Sequence, residues 1–157
     1  MLKPVIAAAA LAVVLATPAQ ADNHAMKTGT IKMESAHDAA TTLDRLEKIF
    51  ASKVITVFTR VDHAAGVQKA GMELPPTQLL LFGNPKLGTP LMKSNREVGI
   101  ALPMKALAWT DADGKTWLAV TDPASLKDRF GLEGVDEVVA KMTGAVTNMG
   151  KAATAKE

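Results

Sequence analysis

Leu79-Leu80-Leu81-Phe82-Gly83-Asn84-Pro85-Lys86-Leu87-Gly88-Thr89-Pro90-Leu91-Met92 joins the most apolar short run downstream of residue 21 to the densest turn chemistry in the sequence. Leu79 to Phe82 is too short for a buried helix and is bounded by Pro75-Pro76 and Gly83, so it predicts a strand covered on both faces, central in a sheet. Gly83 then permits backbone angles closed to other residues, Asn84 is a capping residue, and Pro85 presets the next φ. The chain is expected to leave a buried strand and turn sharply.

Outward from this stretch, the pattern alternates between helix and strand periods. Upstream, Ala39, Leu43, Leu46 and Phe50 recur at helical spacing after a Ser35/Asp38 capping arrangement, with Asp44, Arg45, Glu47 and Lys48 on the opposite side. Val54 to Val61 is β-branched and aromatic and reads as a second core strand. A short helix follows from Asp62 towards Gly71, and Thr28 to Met33 reads as an edge strand. Downstream, Thr89-Pro90 predicts a short helix through about Asn95. Met104 to Thr110 and Thr116 to Thr121 flank a glycine-bearing turn at Ala112 to Gly114 and form a hairpin, whose register sets Asp111 opposite Lys115 and Trp109 opposite Trp117. Asp122-Pro123 opens a helix ending at Phe130-Gly131. Val135, Val138, Val139, Met142, Ala145, Val146 and Met149 trace a last amphipathic helix. The order predicts one α+β domain, a mostly antiparallel sheet with helices on one face.

The ends set the expected compartment. Lys3, the apolar Val5 to Ala16 and Ala19-Gln20-Ala21 have the three-part form of a secretory signal peptide, and Pro18 interrupts the run short of a membrane span. The expected organisation is a signal peptide over 1–21, an extension over 22–35, one domain over 36–150 and a disordered tail over 151–157, in a periplasmic or secreted protein free of the membrane after cleavage. The whole chain has 18 basic and 16 acidic residues; without Lys3 the balance is 17 to 16, which leaves no electrostatic footprint for nucleic acid. The chain has no cysteine, which excludes disulfides, thiolate metal sites and cysteine nucleophiles.

Asp62-His63-Ala64-Ala65-Gly66, Leu74-Pro75-Pro76-Thr77, Leu81 to Met92, Ala101-Leu102-Pro103 and Thr121-Asp122-Pro123 resemble the pattern of domain-of-unknown-function family 302 over about Ala39 to Met149. The resemblance implies a two-layer fold like that of the TATA-binding protein, and domains that associate. It implies no activity, and the fold's name carries no DNA-binding function.

Candidate site residues centre on the same stretch. Asn84 to Thr89 places backbone N–H groups around two glycines beside the Lys86 ammonium, so Asn84, Lys86, Gly88 and Thr89 are expected to bind a small anion, with His63 a neighbour; the competing reading is a purely structural turn. The spacing fits neither a Walker loop nor a dinucleotide fingerprint. His63 has the chemistry of a general base or metal ligand, but no second ligand stands at a metal-binding spacing, which favours a structural histidine. No nucleophile elbow is present, so no catalytic residue and no cofactor is assigned. Eight methionines raise a copper alternative, in which His63, Met72 and Met92 would supply ligands; core filling accounts for Met142 and Met149. The expectation is a non-catalytic exported ligand-binding domain, with a homo-oligomeric interaction module as the other reading.

Overall fold

The computed structural model describes residues 28–156. The expected leader and the first part of the expected extension, His24 included, lie outside them. Five antiparallel strands form one sheet: β1 (Thr30–Ser35), β2 (Thr56–Asp62), β3 (Thr77–Gly83), β4 (Met104–Thr110) and β5 (Thr116–Thr121), in the order β1-β5-β4-β3-β2. The helices are α1 (Ala39–Ser52), α2 (His63–Lys69), α3 (Pro85–Ser94), a 3-10 turn η1 (Arg96–Ala101), α4 (Pro123–Phe130) and α5 (Asp136–Thr154).

The core lies between one face of the sheet and α1 with α5. Ala39, Leu43, Leu46 and Phe50 are all buried, as the helical spacing predicts, and Phe50 stacks on Phe82 with ring centroids 4.4 Å apart. From the sheet, Leu80, Met104, Ala106, Ala108, Leu118 and Val120 meet them. The register pairs Trp109 with Trp117 and closes Asp111 N–H onto the Lys115 carbonyl at 2.8 Å, again as expected for a turn at Ala112 to Gly114.

Four expectations are corrected. The first is the covering of β3, which has neighbours on both edges but a helical layer on only one face; Leu80 and Phe82 are buried while Leu79 and Leu81 point to the other face and are half-buried. One helical layer suffices because the alternate residues reach only one side of the pleat. Second, the 22–35 extension is not wholly outside the domain: β1 pairs along its full length with β5. The third is the expected disordered tail, which continues α5 as helix through Thr154 with Ala153 and Thr154 buried. Arg45 donates to the Ala153 carbonyl at 3.0 Å, Ala36 N–H to Thr154 at 2.9 Å, and His37 Nε2 bonds the Ala155 carbonyl at 2.9 Å. Finally, the cap of α1 is Asp38, accepting from Thr41 N–H at 2.7 Å, whereas Ser35 ends β1 and bonds the Thr42 hydroxyl.

An apolar cavity beneath the third helix

The Asn84 to Thr89 segment is a helix start rather than an open loop. Asn84 is the N-cap of α3: its Oδ1 accepts from Lys86 N–H at 2.9 Å, and its carbonyl accepts from Leu87 and Gly88 N–H at 2.9 and 3.0 Å. Pro85 has no N–H. From Pro85 through Gly88 every backbone donor is thereby occupied, so these residues have no free N–H groups for the anion cradle expected at this loop. Asn84 Nδ2 donates in turn to the Val54 carbonyl at 3.3 Å. Val54 holds φ at +57°, a left-handed conformation that a β-branched residue rarely adopts.

Beneath this helix start lies a cavity of about 340 Å³, within the range of small-molecule sites. Its floor is Phe82, Met104, Met142, Val146 and Met149 from β3, β4 and α5. Leu87, Leu102, Pro103 and Ala145 close its sides, and Phe58, Asn84, Gly88, Thr89 and Met92 stand at the rim. The lining is almost entirely apolar. Four of its walls are methionines, whose flexible thioethers adapt to irregular contents.

The expected site residues thus divide. Asn84, Gly88 and Thr89 line the cavity; Lys86 is exposed on α3 between the lining residues Pro85 and Leu87; His63 is exposed at the first position of α2 and lies outside the cavity. Met72 lines a separate groove, more polar than the cavity, with Asp38, Asp62 and Gln78, so Met72, Met92 and His63 do not share a site as the copper alternative requires. In that groove Asp62 caps α2 through Ala65 N–H at 2.9 Å and accepts from Gln78; these bonds hold its carboxyl below the usual carboxylate range, with the Ala65 N–H the main cause. Among the described residues no three His, Cys, Asp or Glu come together to hold a metal ion. Sequence reasoning missed Ile55, Phe58, Leu102 and Ala145 as lining residues, because they come from separate segments with no shared period.

The fold and the cavity define a two-layer α+β domain with an apolar cavity at the end of its sheet. The chain belongs to the family described as "Domain of unknown function DUF302", whose profile matches residues 31–149. The crystal structure of an uncharacterised conserved DUF302 protein from Bacillus stearothermophilus superposes with a TM-score of 0.72 at 18% identity, covering 80% of this chain and 98% of that one. Over 123 residues the chain is 47% identical to "Fluoride-specific ion channel FluC 1" of Brucella suis biovar 1 (strain 1330) and to the protein of the same name of Brucella abortus biovar 1 (strain 9-941). The match covers 76% of this chain and 48% and 46% of those relatives, so the chain spans about half the length of the curated relatives it matches. No helix among the described residues is long and apolar enough to cross a membrane.

Proposed function

We propose that this is an exported, non-catalytic domain that binds a small amphiphile, its apolar tail in the cavity and an anionic head at the rim near Lys86. The carrying observation is the cavity itself: about 340 Å³, nearly without polar lining, and walled by Met92, Met104, Met142 and Met149. An apolar space of this kind stays dry when empty and gains from any tail that fills it. The anionic preference rests on Lys86, since the backbone donors of α3 are occupied within the helix cap.

The test is a titration with straight-chain carboxylates of rising length. Each added methylene buried contributes about 0.8 kcal/mol, an increase in affinity of about fourfold, until the cavity is full. Ala145→Phe narrows the cavity and is expected to bring the plateau at a shorter chain. Lys86→Ala is expected to weaken carboxylates by up to about 1 kcal/mol, as for an exposed charge contact, and to leave the matching alcohols unchanged. An affinity indifferent to chain length rejects the reading. Export is tested separately by intact mass, expected to begin at Asp22.

The names of the Brucella relatives concern fluoride. We read the segment shared with them as a module outside the bilayer and assign the named channel activity to their other half, so fluoride alone should leave this domain's thermal midpoint unmoved. A second reading, self-association, is favoured by the uncovered sheet face, where Val61, Leu79, Leu81, Leu107, Trp109 and Trp117 stand together.

A further inference from the structure

We propose that the mouth of the cavity is a docking face for an anionic lipid bilayer, from which the ligand's tail passes directly into the cavity; the proposal rests on the amphiphile reading for what enters, and on the surface around the mouth for the docking. Phe58 and Met92 line the cavity and yet are 56% and 37% exposed, which marks them as its mouth. Val54, 84% exposed, adjoins the lining residue Ile55, and Ile100, 82% exposed, adjoins the lining residue Gly99. Four large apolar side chains therefore stand in water around an apolar opening, although three other exposed large apolar side chains, Val61, Met72 and Leu74, lie away from it. Val54 is held outward in a sparsely populated backbone conformation with its carbonyl tied to the cap of α3, the type of local strain that persists at ligand clamps.

Charge selects the occupant. The segments that carry these side chains, 53–58 and 82–100, also carry Lys53, Lys86, Lys93 and Arg96, all exposed, against the single carboxylate of Glu97. None of the four cations belongs to an ion pair among the described residues. Lys86 and Lys93 are seven residues apart, two turns of α3, and so share one side of it. Apolar side chains within a fringe of lysine and arginine form the pattern of an interfacial anchor on anionic lipid. The same pattern disfavours a second copy, since a two-fold contact sets each cation-rich patch against itself.

The experiment is flotation of the protein with vesicles of phosphatidylcholine alone and with about one-third phosphatidylglycerol, beside a vesicle-free titration with dodecanoate. Wild type is expected to float with the anionic vesicles only, and to be released by high salt. Lys53→Gln with Lys93→Gln should reduce partitioning about 30-fold, the effect of removing two lysines from an anionic surface. Ile100→Ser should also reduce it, and both variants should bind dodecanoate as wild type does. Wild type that binds dodecanoate but ignores anionic vesicles overturns the docking proposal and spares the ligand reading. Flotation lost in the variants while dodecanoate fails to bind wild type supports docking and overturns the ligand reading. Flotation unchanged in all variants, or a dimer that Ile100→Ser dissociates without any vesicle binding, overturns the docking proposal.

Discussion

Asp111 shows how one side chain can fix a hairpin. Its Oδ1 accepts from Asp113 and Lys115 N–H at 3.0 and 2.9 Å, and its Oδ2 accepts from the Trp117 indole N–H at 2.6 Å. The Trp117 bond is the main cause that holds the carboxyl below the usual carboxylate range. The folded chain therefore takes up this proton less readily than the unfolded one, so its contribution to stability is in place above the ordinary carboxylate pKa and is lost as pH falls through the lowered folded value. Denaturant midpoints followed by tryptophan fluorescence should fall as pH drops from about 5 to about 2, and fall less steeply in Asp111→Asn. A slope equal to wild type would remove Asp111 as a source. The turn and the register were legible because an aspartate before a glycine-bearing turn between alternating strands admits few geometries. The position of Lys32 was not: its ammonium sits 3.9 Å from the Trp117 ring centroid and 5.0 Å from that of Trp109, a contact from β1 that no local pattern announces.

At the scale of elements, the sequence offered two helix starts of the same form, Asn84-Pro85 and Thr89-Pro90. Reading the second as the start left Asn84 to Thr89 as a loop; in the structure the first wins and Pro90 lies inside α3. Pro90 is tolerated six residues into the helix, but it removes the N–H that would bond the Lys86 carbonyl. Tertiary ties decide the choice: Asn84 bonds Val54 across the sheet end, while Ser94 exchanges hydrogen bonds with the Glu133 backbone and Asn95 Nδ2 donates to the Phe130 carbonyl. Loss of the cap in Asn84→Ala is expected to cost about 1 kcal/mol in chemical denaturation. Helix α5 gives a prediction of opposite sign. Gly144 is helical and exposed, and a Cβ there would meet nothing within 4 Å, so Gly144→Ala should stabilise the domain by up to about 1 kcal/mol. Gly150, in contrast, packs on Met33, where an added Cβ would come within 2.7 Å of its Cε. The stripes of α1 and α5 were legible because one helical face meets one sheet face. The cavity was not, because four segments distant in sequence build it.

For the whole molecule, the unresolved balance of surface lies on the far side of the sheet. Leu79, Leu81, Leu107, Trp109 and Trp117 alternate with core residues along β3, β4 and β5, and the pairings Leu79 with Leu107 and Trp109 with Trp117 set them side by side. α1 and α5 occupy the other face, so a second layer on this one has to come from outside the described residues. Face-to-face packing of two sheets at about 10 Å would supply it, with the Lys32 ammonium held over the two tryptophan rings and Lys105 Nζ donating to the Ala101 and Pro103 carbonyls. A contact of this kind is self-complementary about a two-fold axis and hydrophobic at its centre, which suits a homodimer. We expect sedimentation at micromolar concentration to show a dimer, and Leu107→Lys to dissociate it while the thermal midpoint falls with protein dilution only in wild type. The lysine has room to reach solvent in the monomer, since Leu107 is only half-buried there, so dissociation can be read without loss of the fold. A wild-type protein that stays monomeric over that concentration range assigns the half-buried tryptophan face to something other than a second copy.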